Sequence, residues 1–483
     1  MSSPPSVRTR IAPSPTGFPH IGTIFQVLFD YVWAKKNHGQ FIVRIEDTDR
    51  DRFVAGAEQV IFDAISWFGL DPDESPIHGG DFGPYRQSER LDIYKKYVQQ
   101  LLDQHDAYYC FCTPERLNQV RADMQQHGLP PMYDGHCRNL DPSIAAQKAG
   151  SESHVVRMKV PQEETITFTD LIRGQISFES ATIDDQVILK SDGFPTYHLA
   201  VVVDDHLMQI THMIRGEEWI SSTPKHILLY RYFHWQPPAM IHTPLLRNTD
   251  RSKLAKRHGH ASVSWYKEQG YLPEAVLNFL ATRVWNHPDG KEVFPLEELI
   301  DKFDWSHMHI QSPIADLAKL DWYNGLYIRT LTADELFDRL QPYKPPELSD
   351  DLLKRFIPLI KDRLETLSQI GEFTQYFYQQ PELDPKAILK ESKITPQETA
   401  AYLHQVETVI SQISDSDWSV ATLETKLHDL QQQLGFKPRP AFMTIRLAVT
   451  GRSATPPLFD VLHLLGRDRC LTNLSHAQKI LQA

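Results

Sequence analysis

The sequence predicts an α/β protein in which a parallel sheet is interrupted by an inserted α+β module and followed by an all-helical C-terminal region. Three observations carry that expectation. Residues 10–23 (RIAPSPTGFPHIGT) read as a strand end, a Pro/Gly turn and a helix start. Strand-like runs give way near Cys110 to short, poorly periodic segments and return after Thr196. Beyond a lysine-rich stretch, Ser252-Lys253-Leu254-Ala255-Lys256-Arg257, helical spacing dominates and strand signals are scarce.

Taken in order, residues 7–12 form the first strand, and Pro13-Ser14-Pro15-Thr16-Gly17 must turn. A helix begins near His20. Its apolar positions Ile21, Ile24, Phe25, Leu28, Phe29, Val32 and Trp33 fall at helical spacing, and Gly39 can stop it. The unpaired N–H groups at such a helix start suit a phosphate. Gly22 would let it approach the backbone, and His20 would add a donor. A lone His at a helix start also serves as a cap, so these residues alone leave both readings open.

Residues 41–45 (FIVRI) read as a buried parallel strand, with Glu46-Asp47-Thr48-Asp49 at its carboxyl end, where open α/β sheets bind ligands. Glu46 is expected to contact ligand. Asp47 and Asp49 are expected to cap a helix over 56–68. Another helix, over 88–104, places Leu91, Tyr94, Tyr97, Val98, Leu101 and Leu102 on one face. Within 110–196, residues 155–160 and 165–170 read as strands. Sheet-type runs then return at 198–203, ending in Asp204-Asp205, and at 210–214, ending in Arg215-Gly216-Glu217-Glu218. Thr223-Pro224 opens a helix to about Trp235, and this return would close a nucleotide-binding fold. Further helices are expected over 273–285, 332–340 (with Thr332 and Glu335 as a capping box), 349–372, 395–413 and 422–434.

Length and composition bound the rest. A chain of 483 residues, 41% hydrophobic and 23% charged, has material for two or three domains and contains no apolar run long enough to span a membrane. The start, MSSPPSVRTR, lacks a secretory or transit pattern, so a cytoplasmic protein is expected. A net charge of -12 argues only weakly against nucleic acid, because binding depends on local basic patches rather than the sum. Four cysteines are too few for a disulfide framework, and Cys110, Cys112 and Cys137 cluster as metal ligands do.

The Pro-Thr-Gly-x-x-His-Ile-Gly and Ser-Lys-Leu-Ala-Lys-Arg stretches, in that order, resemble the paired signature motifs of class I aminoacyl-tRNA synthetases. With residues 41–50 (FIVRIEDTDR), 84–90 (PYRQSER), 192–206 (DGFPTYHLAVVVDDH), 214–219 (IRGEEW) and 246–257, the chain resembles the bacterial-type glutamyl-tRNA synthetases over essentially its full length. The helical C-terminus fits that family rather than the glutaminyl-tRNA synthetases, whose anticodon region is built of β-barrels.

The resemblance implies an enzyme that activates L-glutamate with ATP and Mg²⁺, in a step that usually waits for tRNA, and esterifies it to the 3′ end of tRNA(Glu). It leaves open whether tRNA(Gln) is charged too, and it implies a monomer. It also implies a domain plan. Residues 1–109 and 197–245 would be the two halves of a Rossmann-type catalytic domain, with 110–196 the inserted acceptor-stem-binding module. Residues 246–325 would be a stem-contact domain carrying the lysine loop, and 326–483 a helical anticodon-binding region dividing near 375–385. Glutamate carries two carboxylates and one ammonium, so its site needs two cationic clusters and one anion. By resemblance Arg10 and Tyr197 bind the side-chain carboxylate, Glu46 the ammonium and Arg215 the α-carboxylate, with Ala12 and Ser14 alongside. Thr16, Gly17, His20 and Gly22 would hold ATP phosphates, Glu218 and Trp219 would lie near the adenosine, and Lys253 and Lys256 would follow the phosphate charge. Ala255 departs from the family's usual Ser. Arg363 is the candidate anticodon reader. Cys110, Cys112 and Cys137, with Tyr133 or His136, resemble the structural zinc site of some members, and buried free cysteines are the competing reading.

Overall fold

Apolar and β-branched runs build the sheets here as they do generally, by packing well on a pleated surface. A computed structural model describes residues 6–17, 19–49, 52–252 and 259–482. They fall into two units, Met1–Tyr266 with Pro273–Leu317, and Lys267–Leu272 with Ala318–Ala483. Among the described residues there are nine strands: β1 (Arg8–Ile11), β2 (Gln40–Val43), β3 (Ala107–Cys110), β4 (Val155–Met158), β5 (Thr165–Asp170), β6 (Gly174–Glu179), β7 (Val187–Leu189), β8 (His212–Gly216) and β9 (Ala239–Thr243).

In the first unit β1 pairs in parallel with β2, Arg8 opposite Gln40 and Ile11 opposite Val43. β8 pairs in parallel with β9, Met213 opposite Met240. Thr211, just before β8, joins the two pairs: its amide donates to the Arg8 carbonyl at 3.0 Å, and its own carbonyl accepts the Ala239 amide at 2.9 Å. The carboxyl ends of these parallel strands therefore open on one side, which is where such sheets bind ligands. The sheet is mixed rather than purely parallel, because β5 adds to β9 in parallel at Asp170 opposite Met240 and β6 returns antiparallel to β5. This hairpin lies within 110–196, yet it extends the nucleotide-type sheet. β3, β4 and β7 form a separate antiparallel sheet in the order β3-β4-β7.

Seven helices accompany the strands up to Tyr232: α1 (Ile21–Lys36), α2 (Ala57–Trp67), α3 (Leu91–Asp103), α4 (Pro114–Gln126), α5 (Pro142–Ala149), α6 (Tyr197–Leu207) and α7 (Thr223–Tyr232). Here the structure corrects several expectations. The run at 198–203 is not a strand but the body of α6. Leu199, Ala200, Val201, Val202 and Val203 are all buried, in one core with Tyr94, Val98 and Leu101 of α3 and Leu228 and Leu229 of α7. A helix apolar all round has no amphipathic period, so its β-branched stretch looks like a strand. β9, preceded by Pro237-Pro238, was not anticipated. Nor was α4, which buries none of its residues and so has no apolar stripe. Asp47 and Asp49 do not cap α2, whose N-cap is Gly56. Asp47 instead accepts the Ser88 amide at 2.8 Å and its hydroxyl at 2.5 Å, while Asp49 pairs with Arg52.

The second unit is helical throughout its described residues. The capping boxes Thr332/Glu335 and Thr395/Glu398 start the helices Ala333–Leu340 and Pro396–Ser411. The single helix expected over 349–372 is two, Asp350–Ile360 and Ile370–Tyr378. Thr366 and Gln369 form a capping box of their own between them, a Thr-x-x-Gln start signal inside what reads as one apolar stripe. Further on, Leu403, Val406, Ile410, Leu423, Ile445, Leu462 and Leu474 share a core.

What fixes α6 against the sheet of the first unit is charge. Asp205 accepts from Arg10 through two bonds of 3.0 Å and from Arg44 at 2.8 Å. Asp204 accepts from Arg90 at 2.7 Å, Gln87 at 2.9 Å and Tyr94 at 2.8 Å. Arg44 is wholly buried and also reaches Glu46 at 3.2 Å. Arg44→Met keeps length and removes the charge shared by these carboxylates. It should cost about 3 to 5 kcal/mol of stability, since breaking a buried pair strands the remaining charge. The check is the urea midpoint; an unchanged midpoint would show that the network does not hold the unit together.

Candidate active site

A cleft of about 760 Å³ opens at the carboxyl ends of β1, β2 and β8. The first wall follows from the turn after β1. Gly17 has φ 134°, a conformation that an L side chain rarely adopts, and the chain then enters α1 with His20 extended as its N-cap. His20 Nδ1 accepts the Gly22 N–H at 3.0 Å, so this histidine does cap its helix. A Cβ on Gly22 would meet that same Nδ1 at 3.0 Å, so a larger residue would displace the imidazole. His20 and Gly22 both line the cleft.

Of the residues named from sequence, Arg10, Ala12, Ser14, Glu46, Tyr197, Arg215, Glu218 and Trp219 line the same cleft. Thr16 and Gly17 do not; the Thr16 amide closes the turn on the Ser14 carbonyl at 2.8 Å. Lys253, Ala255 and Lys256 lie outside the described residues. The segment following them returns to the α1 start, where Ser262 bridges His20 and the Val263 amide donates to the Pro19 carbonyl at 3.2 Å. Lys190, held by the Thr48 carbonyl at 3.2 Å and Asp192 at 3.1 Å, is a cleft cation that sequence reasoning missed.

The electrostatics divide the cleft. Arg10 commits Nε–H and one Nη2–H to Asp205 and contacts the Ile214 carbonyl through Nη1 at 3.4 Å. A guanidinium has five N–H groups, so one on each terminal nitrogen is left over, the fork that suits a carboxylate. Glu46 is buried, and loss of hydration, only partly offset by Arg44 and Arg10, pushes its carboxyl up to about 7. Burial pushes the Tyr197 hydroxyl up as well. Arg215 is bound by Tyr197 Oη at 3.2 Å, Thr223 Oγ1 at 2.7 Å and the imidazoles of His226 and His242 at 3.2 and 3.1 Å. Neither histidine carries a motif around it that sequence reading could use.

Elsewhere in the first unit, the sulfurs of Cys110, Cys112 and Cys137 lie within 4.8 Å of one another. Tyr133 Oη is 3.5 Å from the Cys110 sulfur and 3.8 Å from that of Cys112, and the Cys112 and Cys137 sulfurs are 3.7 Å apart. His136 is not part of this donor group.

The family model for the catalytic domain of class I tRNA synthetases (E and Q) matches residues 6–322, and that for an anticodon binding domain matches residues 335–478. The glutamate–tRNA ligase of Acidothermus cellulolyticus is 48% identical over 495 residues, covering 99% of this chain and 96% of the relative. That of a Thermus thermophilus strain is 44% identical over 477 residues, 98% of this chain and 99% of the relative. The crystal structure of a glutamate tRNA ligase from Elizabethkingia meningosepticum, in complex with its amino acid, superposes with a TM-score of 0.88 at 34% identity, covering 99% of this chain and 100% of that one. With both domain models matched in order and relatives aligned over nearly their whole lengths, the chain belongs to the glutamate–tRNA ligases of the class I aminoacyl-tRNA synthetase family.

Proposed function

We propose that this cleft binds L-glutamate between Arg10 and Arg215, joins it to AMP from ATP and passes the glutamyl group to the 3′ end of tRNA(Glu). The observation that carries the reading is the spacing of charge in one cavity: two buried guanidinium groups with N–H donors to spare and, of the carboxylates that line it, one that is buried with them, Glu46. That is the complement of a molecule with two carboxylates and one ammonium. Arg10 and Tyr197 take the side-chain carboxylate, Glu46 the ammonium and Arg215 the α-carboxylate.

The chemistry then needs positioning and charge more than a nucleophilic side chain. An oxygen of the glutamate α-carboxylate attacks the α-phosphorus, and the bond to pyrophosphate breaks. The terminal hydroxyl of tRNA next attacks the acyl carbon and AMP leaves. His20 and the α1 start face the phosphates, with Glu218 and Trp219 toward the adenosine. Lys253 and Lys256 meet the charge that builds on the leaving group. Mg²⁺ travels on the ATP phosphates, which are its usual ligands. The helical region beyond the catalytic match reads the anticodon, with Arg363, in the turn Lys361–Arg363, as the side chain we assign to it.

We also infer a structural zinc at Cys110, Cys112, Cys137 and Tyr133. Tetrahedral zinc with bonds of about 2.3 Å holds its sulfurs about 3.8 Å apart, and the Cys112–Cys137 separation of 3.7 Å fits. Such an ion would hold the end of β3 to the loop that carries Cys137.

Three outcomes are expected. Glutamate-dependent exchange of pyrophosphate into ATP should require tRNA, and Arg10→Gln should raise the glutamate KM about ten- to a hundredfold while leaving that for ATP nearly unchanged, as loss of a charge-assisted contact implies. Equal effects on both substrates would remove Arg10 from the glutamate site. The second concerns pH. Below about 7 Glu46 holds a proton that it must release to bind an ammonium, so glutamate affinity should climb by up to about tenfold per unit from pH 5 to 7 and level off above. Calorimetric titrations across that range test this, and a flat profile would take the ammonium away from Glu46. Finally, elemental analysis should find about one zinc per chain; none in protein purified without chelator would leave three clustered free thiols.

A further inference from the structure

Arg215 is held differently from Arg10 and Arg44. It is 6% exposed, yet among the described residues it pairs with no carboxylate; every partner is neutral. Nε–H goes to His242 Nε2, Nη1 to His226 Nδ1 and Tyr197 Oη, and Nη2 to Thr223 Oγ1. A guanidinium only donates, so both imidazoles must accept, which fixes their tautomers. His242 then carries its hydrogen on Nδ1 and gives it to Asp170 Oδ2 at 2.7 Å, and Asp170 is itself held by the His242 amide at 2.9 Å. His226 carries its hydrogen on Nε2, facing His198 Nδ1 at 3.0 Å. Four of the five N–H groups of Arg215 are occupied, leaving one on Nη2 in a residue that lines the cleft.

We propose that His226 and His242, fixed as neutral acceptors by His198 and Asp170, are positioning residues that aim the remaining N–H and the unneutralised charge of Arg215 at the α-carboxylate of glutamate. The inference rests on the reading of Arg215 given under the proposed function. A carboxylate in place of either imidazole would orient Arg215 equally well but would cancel the charge the substrate needs. A neutral acceptor orients without cancelling, and Asp170 acts one imidazole away. The groups facing these rings keep them uncharged. Burial first, then Arg215, His198, Arg10 and His242, push His226 well down. Burial and the cations Arg215 and Arg173 outweigh Asp170 at His242, and burial with Lys225 and Arg215 brings His198 down to about 4.

The two acceptors use different ring nitrogens, and that supplies the test. Asn places an oxygen near the Nδ1 position of a histidine and Gln near Nε2. His226→Asn and His242→Gln should therefore keep the glutamate KM within about threefold. His226→Gln and His242→Asn, equally polar, should raise it about tenfold or more, with the ATP KM moving less than about twofold in all four. A purely structural role would give no such reciprocal pattern, and its absence in the soluble variants, or parallel changes for ATP, would overturn the inference. Arg215→Met separates the two levels of the argument. If it leaves the glutamate KM unchanged, the assignment of Arg215 to the α-carboxylate fails. If it raises KM while the Asn/Gln pairs show no pattern, only the positioning role fails.

Discussion

Asp205 is the point on which the first unit turns. It sits in the last turn of α6, is almost wholly buried, and accepts from two arginines that arrive from two parallel strands, Arg10 on β1 and Arg44 just past β2. Hydrophobic packing would bury this helix against the sheet in many registers. The forked bond from Arg10 permits one, because two N–H groups and two carboxylate oxygens align only at a set angle. The same bond uses the side edge of Arg10 and leaves its far end toward the cleft. On the proposed reading, a structural ion pair and a binding group are two edges of one guanidinium.

The arrangement also explains why the cleft holds unequal cations. Around Arg10 and Arg44 the carboxylates of Asp204, Asp205 and Glu46 keep the interior close to balance. Around Arg215 the protein supplies imidazoles, hydroxyls and an aromatic ring 6.0 Å from the guanidinium carbon. A dry cation with neutral neighbours gains more from an incoming anion than a neutralised one does. The imbalance is confined to the end of the cleft where, on the proposed reading, the reacting carboxylate lies.

Local signals were legible in the sequence and long-range ones were not. The β1–turn–α1 stretch, the strand before Glu46, the capping box at Thr332 and the helix that starts after Thr395 all depend on neighbours within a few residues, and each lies where the sequence places it. Glu46 was legible as a ligand contact from its place at a strand end, Arg10, Tyr197 and Arg215 came from the resemblance, and the structure gathers all four in one cavity. The misreading of 198–203 has the same root as its function: α6 is buried on all sides, so apolar periodicity is lost and its two aspartates look like a strand end. His226 and His242 stand alone in sequence, and only the pairing of β8 with β9 and the approach of α7 bring them to Arg215.

The β5–β6 hairpin carries a consequence for how the insertion relates to the sheet it interrupts. β5 forms the outer neighbour of β9, and its last residue, Asp170, reaches across to both the amide and the ring of His242. Excising residues 110–196 as a detachable acceptor-binding accessory would bare the edge of β9 and withdraw the carboxylate behind Arg215. A graft that exchanges the insertion between relatives would have to cut before Thr165 and leave the hairpin with its host. By hydrogen bonding, the later part of the insertion belongs to the catalytic sheet, whatever its place in the chain.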